Sequence, residues 1–340
     1  MIVIFTIQYD FSSSCVINWL NYMGEEVVRI NADDDYYKFE NIDEHGIYFK
    51  NTISNKIINL RDSKACWWRR RGISQRSFHR SERKKNLVVG GIDLSSIING
   101  EANIFQNETE RLIEYIYTNT YANCPINIGR PPIFNLNRLV VMDIAKRNGL
   151  RVPSFDIVTS NKQLRSAVHK YGNGITKAIS DGLINIVDNN RFHTYSEIVE
   201  DKLLNDTDKE YIYFPSLVSQ KIEKTLEIRT FYLDGLFYSM SIASQSDEQT
   251  AIDFRKYNYS KPNRKEPYKL PLEIEAKLKS IFSELELNCG SVDFIIDKNG
   301  DFVFLEINPV GQYWMVSHPC NYNLDFLIAN YLRYGRNGIN

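Results

Sequence analysis

Two runs near the C-terminal end, Ser291–Asp297 and Asp301–Ile307, are rich in β-formers and flank Asn299-Gly300. Asn-Gly between apolar runs is a strong hairpin signal, because both residues tolerate the positive φ of a tight turn. A lone two-stranded ribbon is barely stable in water, so this one must extend a larger sheet. Yet both arms carry polar groups inside apolar surroundings. Asp293 sits in Ser291-Val-Asp-Phe-Ile-Ile, and Glu306 and Asn308 sit in Phe304-Leu-Glu-Ile-Asn-Pro. Glu306 and Asn308 are two apart and so project from one strand face. Burying them costs free energy unless they bind something. Three converging oxygens suit a hard cation such as Mg²⁺, which keeps waters and takes further oxygens from phosphates. The competing reading, an exposed strand face, is disfavoured by the surrounding Phe, Leu and Ile.

The rest of the chain reads as α/β. Met1–Thr6 is a buried strand. A helix follows, with Ser12, Ser13 and Ser14 as N-cap candidates and Gly24 as its stop, and then a second strand over Glu26–Ile30. This order suggests an open α/β layer. Residues 46–60 alternate as a hairpin turning at Ser54-Asn55, Ala65–Trp68 is a strand, and Glu101–Thr120 is helical. Three prolines and Gly129 in Cys124–Pro132 predict a linker. Asn137 caps a helix to Asn148, with Gly149 at C′. Residues 151–188 read as short strands and turns, and a second boundary falls near Asp206–Glu210. Tyr211–Lys221, Leu226–Leu233 and Leu236–Ala243 are strands, with Asp234-Gly235 as a hairpin turn, and Pro271–Glu286 is an amphipathic helix. The expected domains are therefore 1–125, 126–208 and 209–335, in keeping with about 150 residues or fewer per domain.

Composition removes several classes. Lys+Arg number 41 against 42 Asp+Glu, a net charge of −1, which argues against a protein built to hold nucleic acid. No apolar run approaches the roughly 18 residues of a membrane span, and Met1–Ile7 is too short and lacks the basic start of a signal peptide. The expectation is a cytoplasmic protein. Five scattered cysteines without a CxxC pair indicate neither a disulfide frame nor a zinc site. The five histidines form no cluster.

Asp…Glu-x-Asn-Pro closing a chain of this length resembles the ATP-grasp carboxylate–amine ligases. The longer string Phe304-Leu-Glu-Ile-Asn-Pro-Val-Gly-Gln312 is similar to the graspetide (microviridin-type) synthetases, which macrocyclise ribosomal peptides. Trp67-Trp-Arg-Arg, Gly149-Leu-Arg-Val-Pro, Gln220-Lys-Ile-Glu-Lys, Leu226-Glu-Ile-Arg, Asp253-Phe-Arg and Leu270-Pro-Leu-Glu-Ile follow in the family's order. Each is weak alone and the ordered set is specific. Gln8-Tyr-Asp-Phe-Ser-Ser-Ser, through Asn18-Trp-Leu, resembles the branch found beside a radical-SAM/SPASM partner. The resemblance implies an ATP-grasp fold, an N-terminal α/β domain plus two sheets clasping ATP. It also implies ATP and Mg²⁺ as cofactors, a ribosomal precursor peptide as partner, and a homodimer as a common state.

It further implies site roles. Lys177, a cation in the apolar strand Gly174-Ile-Thr-Lys-Ala-Ile, would meet phosphate. Arg138 stands where many relatives carry a phosphate-binding lysine; a plain surface arginine is the other reading. Gln220, Ile222 and Glu223 fall at the hinge that holds adenine and ribose. Arg229 would fork two bonds onto the γ-phosphate or an acyl phosphate, or pair structurally with Glu227. Arg255 would face the same side. Arg69–Lys85 carries eight basic residues against Glu82. From it Arg71 or Arg70 would position a substrate acid, with the rest a solvated loop. Ser180–Ser196 matches the loop over the phosphates. Asp293, Glu306 and Asn308 would bind Mg²⁺. The implied activity joins Asp/Glu side chains to Ser/Thr hydroxyls or Lys amines through an acyl phosphate. The alternative is an amino-acid ligase of the glutamate-ligase or glutathione-synthetase type. A regulatory nucleotide-binding module is disfavoured by the intact set, and an RNA-binding protein by the charge.

Overall fold

The computed structural model describes residues 1–78, 88–89, 92–93, 95–132, 136–179, 184–187, 190–193, 196–199, 210–246, 260 and 262–339. The chain divides into two compact units: Met1–Asn135 with Asn323–Asn340, and Leu136–Tyr322.

The first unit begins with β1 (Ile2–Thr6), α1 (Phe11–Tyr22) and β2 (Val27–Asn31). All five residues of β1 are buried, as a near-continuous apolar run in a parallel sheet requires. The N-cap of α1 is Asp10, not one of the serines, and its side chain makes no cap bond. Its Oδ2 instead accepts from Thr6 Oγ1 (3.0 Å), Ser13 Oγ (2.6 Å) and Arg69 Nε (3.1 Å). Then come β3 (Tyr37–Ile42), β4 (Ile47–Asn51), β5 (Ile57–Asn59), β6 (Ala65–Trp68), the short pair β7 (Val88–Val89) and β8 (Ile92–Asp93), α2 (Ser95–Asn123) and β9 (Ile126–Ile128). Strands β2-β1-β6-β9 form a parallel sheet, and β3-β4-β5 an antiparallel meander. The predicted 46–60 hairpin is β4–β5, with Asn55 at φ 58° in the turn.

Two readings change here. The stretch expected to be a linker contains β9, which pairs with β6 as a strand of the first sheet. The closing helix Leu324–Tyr334 counts with this unit, although it lies within the expected 209–335 region. Trp19 Nε1 donates to Asp325 Oδ2 (2.8 Å), and Arg333 pairs with Glu25 (3.1 Å), tying that helix to α1 and the turn after it. Phe5 and Trp68 stack at 4.4 Å in the core, with Tyr117 edge-on to both.

The second unit runs α3 (Arg138–Arg147), β10 (Phe155–Ser160), α4 (Asn161–Tyr171), β11 (Gly174–Lys177), β12 (Ile184–Val187), β13 (Asn190–His193), β14 (Glu197–Ile198), β15 (Ile212–Gln220), β16 (Lys224–Leu233), β17 (Leu236–Ala243), β18 (Arg264–Tyr268), α5 (Leu272–Glu284), β19 (Cys289–Asp297), β20 (Phe302–Asn308) and α6 (Trp314–Cys320). Asn137 caps α3 by accepting from Leu139 and Val140 N–H, as predicted. Helix α4 takes the place of the strands and turns expected over this stretch. It follows β10 directly, with Ser160 as its cap.

Two antiparallel sheets result, β10-β15-β11-β14 and β18-β17-β16-β19-β20, beside the hairpin β12–β13. Helix α4 covers the first with Leu164 and Ala167 against Val158 and Val218. Helices α3 and α5 cover one face of the second, where Val141, Ile144, Ile281 and Phe282 meet Ile228, Val292, Phe294, Phe304 and Ile307. The opposite face carries Glu227, Arg229, Ser291, Asp293, Glu306 and Asn308, in register across three strands. Burying one full face anchors the sheet, so the other is free to hold polar groups.

Candidate active site

Asp293 and Glu306 are direct partners across β19–β20, and Arg229 is the partner of Asp293 across β16–β19. The predicted hairpin puts Asp293 and Glu306 on its two arms, and the structure makes them direct partners. What the sequence did not reveal is a register shift between Asp293 and Phe294, where Leu305 is the extra residue of β20. Phe304 and Ile307 both enter the core although they are three apart. A strand without this bulge would turn Glu306 and Asn308 into that core. The extra residue re-aims them.

Glu306 is gripped by two cations. Lys177 Nζ, from the end of β11, donates to Glu306 Oε2 at 2.7 Å, and Arg138 donates to the same oxygen at 2.8 Å. Arg138 also donates to the Ala178 carbonyl. The fold thus brings Arg138, Lys177 and Glu306 together from the start of α3, the small sheet and the large sheet. Asp293 has one oxygen 3.5 Å from Arg229, while its other oxygen, Oδ1, is buried with no hydrogen-bond partner among the described residues. Burial, aided by the Glu306 charge, outweighs Arg229 and Lys177 and raises the Asp293 carboxyl to about 6. A carboxylate held above its ordinary range, with an orphaned oxygen, is a group prepared for a cation.

Asn308 lies on the same face, its Oδ1 accepting from Val310 N–H at 3.0 Å. Among the described residues no group of three or more His, Cys, Asp or Glu forms a metal cluster. The candidate set is two carboxylates and an amide oxygen, an all-oxygen donor set that fits a hard divalent ion.

Arg229 is buried. Its NH2 donates to Gln312 Oε1 at 2.9 Å. The alternative Glu227–Arg229 pair is not formed: Glu227 Oε1 accepts instead from Lys224 Nζ and Ser244 Oγ, both at 2.6 Å. At the hinge, three residues carry the chain from β15 to β16. Gln220 N–H donates to Ser154 O (2.8 Å), Ile222 is half-buried, and exposed Glu223 pairs with Lys298, whose hydrogen bond and charge lower its carboxyl.

Arg71 is exposed in the first unit, and its carbonyl accepts from the Tyr117 hydroxyl. Arg69 departs from the solvated-loop reading, because it is buried against Asp10. Burial alone would raise Asp10, but Arg69 and the hydroxyls of Ser13 and Thr6 hold it low. Arg255, Asp253, much of the expected phosphate loop, and Arg80, Arg83, Lys84 and Lys85 lie outside the described residues. Gln312, at the end of the string Phe304–Gln312, is a contact residue that no strand or turn pattern marks in the sequence.

No family model matches the chain, and no curated protein matches it. Solved structures do. The macrocyclase MdnC bound with precursor peptide MdnA, from Microcystis aeruginosa, is 19% identical with a TM-score of 0.72, over 98% of this chain and 99% of that one. A RiPP-associated ATP-grasp ligase of Chryseobacterium gregarium, in complex with ADP and a leader and core peptide, is 20% identical with a TM-score of 0.70, over 98% and 96%. The macrocyclase MdnB of Microcystis aeruginosa is 16% identical with a TM-score of 0.70, over 98% and 99%. The chain has the ATP-grasp fold. The expected fold class, an open α/β N-terminal layer followed by two further sheets, holds. No helix among the described residues is long and apolar enough to cross a membrane.

Proposed function

We propose that this protein is an ATP-dependent, ADP-forming ligase acting on a ribosomal precursor peptide. One observation carries the reading. Lys177, Arg138 and Arg229 converge with Asp293 and Glu306 on one sheet face, and Asp293 presents a buried oxygen that has no partner among the described residues. Cations around an all-oxygen pair suit a polyphosphate with a divalent ion. Asp293, Glu306 and Asn308 would hold Mg²⁺, which supplies charge neutralisation at phosphate oxygens. The fold and the peptide-bound neighbours support the substrate class, as does the string Phe304–Gln312.

In this reading a substrate Asp or Glu carboxylate attacks the γ-phosphate, giving an acyl phosphate and ADP. A Ser/Thr hydroxyl or Lys amine then attacks the acyl carbon and expels phosphate, leaving an ester or amide. Lys177 and Arg138 neutralise the phosphates, and Arg229 stabilises the transferring group. Gln220 and Ile222 line the hinge for adenine. Glu223 would take the ribose hydroxyls by leaving Lys298. Arg71 would meet the peptide and Arg255 the phosphate side. The string from Gln8 supports a radical-SAM/SPASM partner encoded nearby, and the protein would act in the cytoplasm.

Incubation with ATP, Mg²⁺ and a peptide encoded beside the gene tests this. Each crosslink should remove one water, about 18 Da, because condensation through an acyl phosphate releases the oxygen to phosphate. An unchanged peptide mass with an amino acid ligated elsewhere would support the glutamate-ligase type of reading instead.

A further inference from the structure

Arg229 ends on two unlike partners. Its NH1 lies 3.5 Å from Asp293 Oδ2, beyond hydrogen-bond reach, and its NH2 donates to Gln312 Oε1 at 2.9 Å. Its Nε is buried and has no partner among the described residues. The charged neighbour is therefore loose and the close neighbour is neutral. A carboxylate in place of Gln312 would form a short charge-assisted bond and cancel the guanidinium charge. A glutamine fixes the same arm and leaves that charge available to an incoming anion.

Residue 312 is itself held firmly. Gly311 has φ +62°, and a Cβ there would meet Cys289 Sγ and Phe231 Cε2 at 3.0 Å. Tyr313 is fully buried, and its N–H donates to Gly311 O at 2.7 Å. Asn308 Oδ1 takes the Val310 N–H, so the loop is tied to the strand that carries Glu306. On the same sheet face Ser291 Oγ and Asp293 Oδ1 are buried and have no partner among the described residues, so the polar floor beside Arg229 has room for a ligand's polar groups.

We propose that Gln312 is a positioning residue that aims Arg229 at the transferring phosphoryl group and at the acyl phosphate while leaving its charge uncancelled. The inference rests on the ligase reading. It separates two properties that a structural hydrogen bond would keep together, bond strength and net charge. A glutamate at 312 strengthens the bond but removes the charge.

The experiment compares wild type with Gln312→Glu and Gln312→Met, measuring thermal midpoint, KM for ATP and kcat with the precursor peptide. The expected result for Gln312→Glu is a thermal midpoint equal to or above wild type and a nearly unchanged KM, with kcat down about 10- to 100-fold, the scale of losing one preorganised electrostatic contact. Gln312→Met keeps the shape and the Arg229 charge but loses the acceptor, and should lower kcat by about tenfold with little change in midpoint. Wild-type kcat in Gln312→Glu would overturn the proposal and reduce Gln312 to a loop contact. If Gln312→Glu does not fold, Gln312→Met decides alone: a lowered kcat supports the proposal and an unchanged one refutes it. A wild-type protein that consumes no ATP with the peptide removes the ligase reading and this inference together. Active wild type with an equally active Gln312→Glu removes only the inference.

Discussion

Asp293 ionises against its surroundings. Its folded-state carboxyl is raised from 3.8 to about 6, first by burial and then by Glu306. Between those values the folded chain holds a proton that the unfolded chain has released, so this group makes ligand-free stability fall as pH rises from about 4 to about 6. A urea titration series across that range should show the decline, and it should disappear in Asp293→Asn. At pH 7 that variant should be more stable than wild type by on the order of 2 kcal/mol, because a buried charge has been removed. It should also lose the stabilisation by Mg²⁺ with nucleotide. Asp293→Asn with wild-type stability at pH 7 would show that the carboxylate is not strained. Glu227, on the same sheet face, has its Oε1 satisfied by Lys224 and Ser244. Glu227→Ala should remove the short charge-assisted bond to buried Lys224 and the bond to Ser244, lowering stability by about 1–3 kcal/mol in denaturant unfolding.

The elements show what a sequence carries and what it hides. The β19–β20 ribbon was legible because alternation and the Asn299-Gly300 turn are local signals; Gly300 has φ 87° as that turn requires. It put Asp293 and Glu306 on facing arms, and the register then makes them partners. The bulge at Leu305 was not legible, because one extra residue in an apolar run changes neither composition nor turn chemistry. Helix α4 was missed because it starts immediately after β10, with no Gly or Pro between them, and few apolar residues mark its buried side. Strand β9 was hidden between the proline and glycine signals that predicted a linker. Two element-scale outcomes follow. Deleting Leu305 should close the bulge into regular alternation, keeping Phe304 and Ile307 in the α3/α5 core and Glu306 and Asn308 on the opposite face, so a cooperative unfolding transition should persist; its loss would contradict the bulge reading. Gly311→Ala should cost about 1–3 kcal/mol, since its Cβ meets Cys289 and Phe231 and its φ is positive.

At the scale of the molecule, the sequence disclosed an α/β start and β-rich end, but not that the chain returns to its beginning. The closing helix joins the first unit through Trp19–Asp325 and Arg333–Glu25, contacts whose partners are some 300 residues apart. No local pattern encodes such a meeting. The small and large sheets of the second unit, by contrast, are joined by the three residues after Gln220 and meet at the Lys177–Glu306 pair. The central claim is that this meeting place is a magnesium-dependent nucleotide site. Calorimetric titration with a non-hydrolysable ATP analogue tests it most directly. Wild type should bind with Mg²⁺ present, and binding should weaken at least about tenfold without it and in Glu306→Gln, roughly the 1.4 kcal/mol that a lost ligand contact gives at minimum. Equal affinity in the variant, with and without the ion, would contradict the account.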